Sequence, residues 1–304
     1  MDLWVPITIA AAFLQNLRSA LQKHLKASLS VSGATFSRFA FAAPLALLYV
    51  LLLWAMGDFA LPKPSLPFFG YIVMGGVSQI LATALLVHVF SFRNFVVGTT
   101  FSKTETMQTA LFGFLILGDR MSILAAMAIV ISLVGVFLIS AARAPKGIAG
   151  IVGSLTERTA LIGMASGAMF GISAVSYRAA SLSLGGEGFL MQAAFTLATV
   201  TVLQTVIMTL YLYASEPGQL TAVLRSWRVS SLVGLTGMLA SAGWFTAMTV
   251  QNAAYVRALG QVELVFTFAA SYLVFGERSS RLELLGIALD TFGILVLLLA
   301  PEAG

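Results

Sequence analysis

Cysteine is absent from this 304-residue chain, histidine occurs only twice, and charged residues make up 10% of it. These absences exclude a disulfide framework, a thiolate metal site and a cysteine nucleophile, and two isolated histidines do not make a zinc centre. The spacings of common catalytic motifs are missing as well: no phosphate loop, no His-Glu-x-x-His and no nucleophile elbow. The chain therefore reads as neither an enzyme nor the holder of a cofactor or metal. Its formal charge of +5 would suit nucleic acid, but the basic residues stand singly at the ends of apolar runs, where they anchor helices at a lipid interface. The last apolar run has no lysine, which argues against a retinal-type photoreceptor.

What the chain has in abundance is apolar surface: 59% of residues are hydrophobic and the mean hydropathy is +0.96, values that point to lipid as the solvent. About 20 apolar residues carry a helix across a hydrocarbon core about 30 Å thick. Cutting wherever charge, proline and glycine gather gives ten segments, at 4–22, 34–56, 67–90, 95–117, 121–141, 159–180, 188–213, 229–250, 255–275 and 282–300. The first lacks a basic leading region and carries Gln15, Asn16 and Arg18, so it reads as a retained span rather than a cleaved signal peptide. Runs such as Ile123 to Ile139 are apolar on every face, unlike the alternation of a membrane strand. The expected fold class is an all-α integral membrane protein with ten transmembrane helices.

A shift of 158 positions superimposes the two halves. Glu105 falls on Glu263, Asn94 on Asn252, Leu115 on Leu273, Gly118-Asp119-Arg120 on Gly276-Glu277-Arg278, Ser122 on Ser280 and Gly135 on Gly293. Five spans per unit is an odd number, so the second unit enters the membrane in the opposite sense. That inverted-topology repeat, residues 1–141 and 159–304 about a linker at 142–158 rich in glycine and proline, is typical of secondary transporters. The short connections leave no room for a soluble catalytic domain. Connections after odd-numbered spans hold ten Lys and Arg; the others hold Lys63, Arg120, Arg178 and Arg257. By the positive-inside bias this puts both termini outside.

The fourth segment ends Leu-Gly-Asp-Arg-Met-Ser and the ninth Phe-Gly-Glu-Arg-Ser-Ser, each followed by a glycine-bearing span, and Arg38-Phe39 opens the second. In these features the whole chain resembles the EamA-type transporters of the drug/metabolite transporter superfamily. The resemblance implies a cavity formed by spans one to four and six to nine, with spans five and ten peripheral. It also implies alternating access in a bacterial inner membrane and cytoplasmic termini, against the charge count. It implies no role for Glu105 and Glu263, which are not part of the family's general signature.

An ionisable side chain inside a bilayer costs about 2.5–3.5 kcal/mol on insertion scales, so each needs a partner, water or a task. Glu105 and Glu263 either lock helices by pairing with a base or load and release a proton or cation. Lys103 stands two residues from Glu105, on a different helix face, and is free to meet a substrate. With Arg38 and His88 it is expected to form a basic cluster toward one membrane face. Their structural readings are an interfacial arginine and a hydrogen-bonded histidine. The inverted second unit brings Gln192, Trp244, Tyr255, Gln261 and Glu263 toward the other face as an aromatic and acidic cluster, with anchoring or packing as the alternative for the rings. Asp290, near the middle of the last span and matched to Ser132, serves either proton handling or a bond to a neighbouring helix or a second subunit in a homodimer.

Gly163, Gly167 and Gly171 recur every fourth residue, a stripe for close helix approach, while Gly118 and Gly276 read as tight turns. The function expected is a secondary transporter, a proton-coupled exporter of a small amphipathic metabolite such as an amino acid or drug-like amine. Its partners are that substrate, protons and lipid, with no nucleic acid. An uncoupled exchanger or uptake permease, and a non-transporting membrane scaffold or receptor, are the alternatives.

Overall fold

The computed structural model describes residues 2–57, 59–89, 91–92, 95–144, 147–153, 155–186, 188–266 and 280–300. Every regular element among them is helical, as the unbroken apolar runs require. In chain order they are α1 (Trp4–Leu25), α2 (Val31–Met56), α3 (Leu66–Val89), α4 (Phe95–Ser102), α5 (Glu105–Leu117), α6 (Ile123–Arg143) and α7 (Gly147–Gly153). There follow α8 (Arg158–Ser183), α9 (Phe189–Ser215), α10 (Gln219–Arg225), α11 (Trp227–Val250), α12 (Ala253–Leu259), a 3₁₀ turn at Gly260–Val262, and α13 (Arg281–Leu299). Seven of these, α2, α3, α6, α8, α9, α11 and α13, are long and apolar enough to cross a membrane. The fold is that of an all-α, multi-pass membrane protein.

Local chemistry sets the helix starts. Ser30, Ser122, Asn252 and Ser280 each turn a side-chain oxygen back onto a backbone N–H of the first turn, at 2.8–3.2 Å, satisfying donors that a helix N-terminus otherwise leaves bare. At the end of α5, Gly118 takes φ +69° and its N–H closes back onto the last turn, the left-handed stop that glycine alone adopts at little cost. The expected turn at Gly118 is therefore present; Gly276-Glu277-Arg278, Leu273 and Asn94 lie outside the described residues. The stretch expected as a plain linker contains α7, held down by the buried Ile151.

The elements pack as α1 on α11, α2 on α9 and α11, α3 on α8, α4 and α5 on α8, and α6 on α13. Burial grades from centre to rim: 72% of the apolar window of α11 is buried and 56% of that of α8, against 28% for α13 and 22% for α2. The glycine stripe is a packing device. A side chain at Gly163 would strike the backbone carbonyl of Gly98, one at Gly167 would meet Ser102 O at 2.7 Å, and one at Gly171 would meet Thr109 Oγ1 at 3.1 Å. Helix α8 thus lies almost backbone to backbone against α4 and α5, which bare glycine surfaces permit.

Helices α6 and α13 approach equally closely through Gly135, Gly286 and Gly293. Between them Ser132 Oγ donates to Asp290 Oδ1 at 2.6 Å, in a setting where Asp290 is fully buried and its Oδ2 has no hydrogen-bond partner. The shift that equates Asp290 with Ser132 gives no hint that the two touch. Ser132→Ala removes the sole described donor to this acid and should cost about 1–3 kcal/mol. A melting curve of the detergent-solubilised variant measures it; an unchanged midpoint would mean that the hydroxyl contributes nothing there.

Candidate functional site

Two helices break at matching places. Between α4 and α5 the chain passes through Lys103 and Thr104, and Glu105 then opens α5. Between α12 and the helical residues 263–266 it tightens into the 3₁₀ turn Gly260–Val262, which Glu263 follows. The spans expected as continuous over 95–117 and 255–275 are therefore interrupted, within the described residues, at or just before the two carboxylates. Carboxylates suit such places, because the first turn of a helix presents bare N–H groups and the positive end of the dipole. Trp244 of α11 props the second break: a side chain at Gly260 would meet its ring at 2.5 Å.

The broken segments face each other and exchange charges. Lys103 Nζ of the first pairs with Glu263 Oε1 of the second, and Arg257 Nε of the second stands 3.0 Å from Glu105 Oε1 of the first. Gln261 Nε2 also donates to Thr106 Oγ1 at 2.9 Å, while the Arg257 guanidinium lies 4.7 Å over the ring of Trp244, a cation–π contact that keeps it oriented. Around these pairs opens a cavity of about 160 Å3, lined by both carboxylates, Lys103, Arg257 and, from α1, Gln15, Asn16, Arg18 and Ser19. The volume matches the roughly 150 Å3 that encloses a benzene-sized ligand.

A single arginine ties three helices together near their ends. Arg178, near the end of α8, donates through Nη1 to Met248 O at 2.7 Å and Gln251 O at 2.5 Å, while its Nε lies 3.6 Å from Asp119 Oδ2. One cation thereby joins the C-terminal ends of three helices, α5, α8 and α11, where the dipole favours positive charge. Trp4, Trp244, Tyr255, Val256 and Leu259 share one apolar cluster with Met248. Asp119, next after the Gly118 turn, is the carboxylate that faces Arg178.

The sequence expectation of two unlike polar clusters gives way to a single mixed cavity. Glu105, Glu263 and Lys103 meet in it, and Gln261 adjoins it through Thr106. Lys103, left open for a substrate, is taken by the glutamate of the other half. Arg38 is buried and donates from Nη1 to Thr83 Oγ1 at 3.1 Å, lining a separate, water-sized gap with Gln79 and Gln204. His88 packs edge-on against Phe92 and is absent from the cavity wall. Gln192 donates to Gly185 O and Gly186 O at 2.9 and 3.1 Å, a clasp on the α8–α9 turn rather than a site residue. Tyr255 is buried with its hydroxyl lacking a hydrogen-bond partner, so it contributes packing.

The roles of three arginines are not visible in the sequence reading. Arg257, third residue of a span drawn from 255, counts with the connections by its charge alone; the cap at Asn252 starts α12 two residues earlier, and Arg257 is buried within it. Arg178 is counted there too, and what the count does not register is its grip on the ends of α5 and α11. Arg18 served only to argue against a signal peptide, although an arginine amid a retained span was itself a signal.

The site thus belongs to a polytopic helical bundle with a charged cavity among its helices. No family model and no curated protein matches this sequence. Among solved structures 25 chains match; one crystal structure covers 98% of this chain and 97% of its own, with a TM-score of 0.67 and 15% identity. At that identity the likeness extends to the fold and no further.

Proposed function

We propose that the protein is a secondary active transporter of the EamA type, in the drug/metabolite transporter superfamily, that moves a small amphipathic metabolite through a bacterial inner membrane by alternating access. The observation that carries this reading is the meeting of Glu105 and Glu263, from two interrupted helices, in one charged chamber inside an apolar bundle. Interrupted helices at the centre of a bundle free backbone groups for a ligand, which continuous helices cannot do.

In this reading α4 with α5, and α12 with the segment after it, each form one span. The ten spans then comprise two five-helix units of opposite sense. The starts of α2 and α9, of α4 and α12, and of α6 and α13 support it, each pair being 158 residues apart. So does the α6–α13 seam. Gly135 faces Gly286 and Asp290 while Gly293 faces Ala128 and Ser132, a swap of equivalent positions that a twofold relation between units produces. The Arg178 clasp fits a state closed at one end, and opening that end requires its release.

Coupling follows from the exchange of ion pairs. A proton arriving at Glu263 or Glu105 releases Lys103 or Arg257, and the freed cation changes what holds the two halves together. In vesicles of reconstituted protein, adding substrate should move protons. The variant Lys103→Gln/Glu263→Gln removes an acid together with its cation and strands no charge; it should fold and lose at least about nine-tenths of that proton movement. Full proton flux in that variant would remove the assigned role. The pairing of both carboxylates also favours a second reading, uncoupled exchange, for which transport indifferent to an imposed pH gradient is the signature.

A further inference from the structure

The chamber has more positive charge than its acids neutralise. Three cations, Arg18, Lys103 and Arg257, line it with two carboxylates, each already engaged by Lys103 or Arg257. Arg18 lines the chamber, is 4% exposed, and among the described residues has no carboxylate within ion-pair distance. Its Nε has no hydrogen-bond partner, and its Nη2 reaches Ser19 Oγ at a long 3.4 Å. Behind it stands Arg38, equally buried. The stems of both arginines pass over Gly237, where a side chain would meet Arg18 Cδ at 3.4 Å and Arg38 Cγ at 3.5 Å. Glycine at that position leaves room for the two like charges side by side.

Isolated buried cations are costly, and two near one another in a low-dielectric setting more so. A guanidinium with an unused donor at the wall of a cavity is matched by a planar anion, which accepts two parallel hydrogen bonds from its fork. Resting on the transport reading above, we infer that the chamber takes a small monocarboxylate, its carboxylate on Arg18 and its apolar body against Leu86 and Phe170 of the cavity wall. The volume limits the occupant to about the size of a substituted benzene ring. A cationic amine, by contrast, would have to displace Lys103 or Arg257 from an acid while facing Arg18, so the drug-like amine falls away from the expected substrates.

Benzoate, benzylamine and benzyl alcohol share a ring and differ in charge, so they serve as probes. Calorimetric titration of the purified full-length protein in detergent at neutral pH should give binding for benzoate, and binding at least about tenfold weaker for the other two. Arg18→Gln should weaken benzoate by at least about tenfold, and Arg18→Lys, which keeps the charge but loses the fork, by less. Benzylamine binding as tightly as benzoate, no benzoate binding by the wild type, or undiminished benzoate binding by Arg18→Gln would each overturn the inference. If Arg18→Gln does not elute as a monodisperse protein, the selectivity of the wild type decides alone. The failures are separable from those of the transport reading: benzoate bound but never carried across a vesicle wall sinks transport and spares the anion site, whereas an amine carried while carboxylates are ignored does the reverse.

Discussion

Replacing Glu263 alone by glutamine should destabilise the protein more than replacing Glu263 and Lys103 together. The single change leaves the Lys103 ammonium in the chamber without its carboxylate, beside Arg18 and Arg257, which line the same walls. Breaking a buried pair from one side costs about 3–5 kcal/mol, largely the penalty of the stranded charge, whereas neutralising both members is often close to neutral. Lys103 is about a quarter exposed and Glu263 about an eighth, so chamber water softens the penalty toward the lower end of that range. Melting curves of Glu263→Gln, Lys103→Gln and the double variant form the cycle. Glu263→Gln should melt lowest and the double variant should recover most of the loss. A double variant that merely sums the two single losses would mean that the residues do not act as a pair.

Part of this pairing is legible in the sequence itself. Glu105 and Glu263 were legible because acids are rare in apolar runs and because the repeat isolates them. The turn at Gly118 and the stripe in α8 are legible from glycine placement alone, whereas Ser122 and Ser280 stand out in the sequence only as matched positions of the repeat, not as caps. The helix breaks are not legible. Lys103-Thr104 contains neither proline nor glycine, and the contacts found there, Lys103 with Glu263 and Ser102 O against Gly167, are tertiary ones. His88 and Gln192 were drawn into the site because a polar residue in an apolar segment can be placed on a membrane half but not on a helix face. A contact with Phe92 and a clasp on the Gly185-Gly186 turn satisfy them instead. The Ser132–Asp290 bond is hidden for a different reason: the shift of 158 positions reports which residues correspond, not which ones touch.

Gly167→Val is expected to damage both the seam and the chamber, because this glycine lies against the first helix break. A Cβ there would come to 2.7 Å from Ser102 O, 3.1 Å from Glu105 N and 3.2 Å from Gln108 Oε1. Two of these are backbone atoms that cannot swing aside. Overpacking a tight contact costs about 1–3 kcal/mol where side chains can adjust, and more where main chain must move. The displaced atoms belong to the residues flanking Lys103-Thr104, so any relief moves Glu105 away from Arg257 and disturbs the chamber as well as the seam. Gly163→Ala, which strikes the carbonyl of Gly98, should destabilise comparably while leaving the carboxylates farther from the disturbance. Gly70→Ala is the contrast: nothing lies within 4 Å of the new methyl, and in the interior of α3 the change should be neutral or should stabilise by about 0.5–1 kcal/mol. The ordering expected in thermal melts is Gly70→Ala highest, then wild type, then Gly163→Ala, with Gly167→Val lowest and without substrate-driven flux in vesicles. If Gly167→Val melts with the wild type and still moves substrate, α8 does not hold the break, and the geometry around Glu105 must be set by the exchanged ion pairs alone.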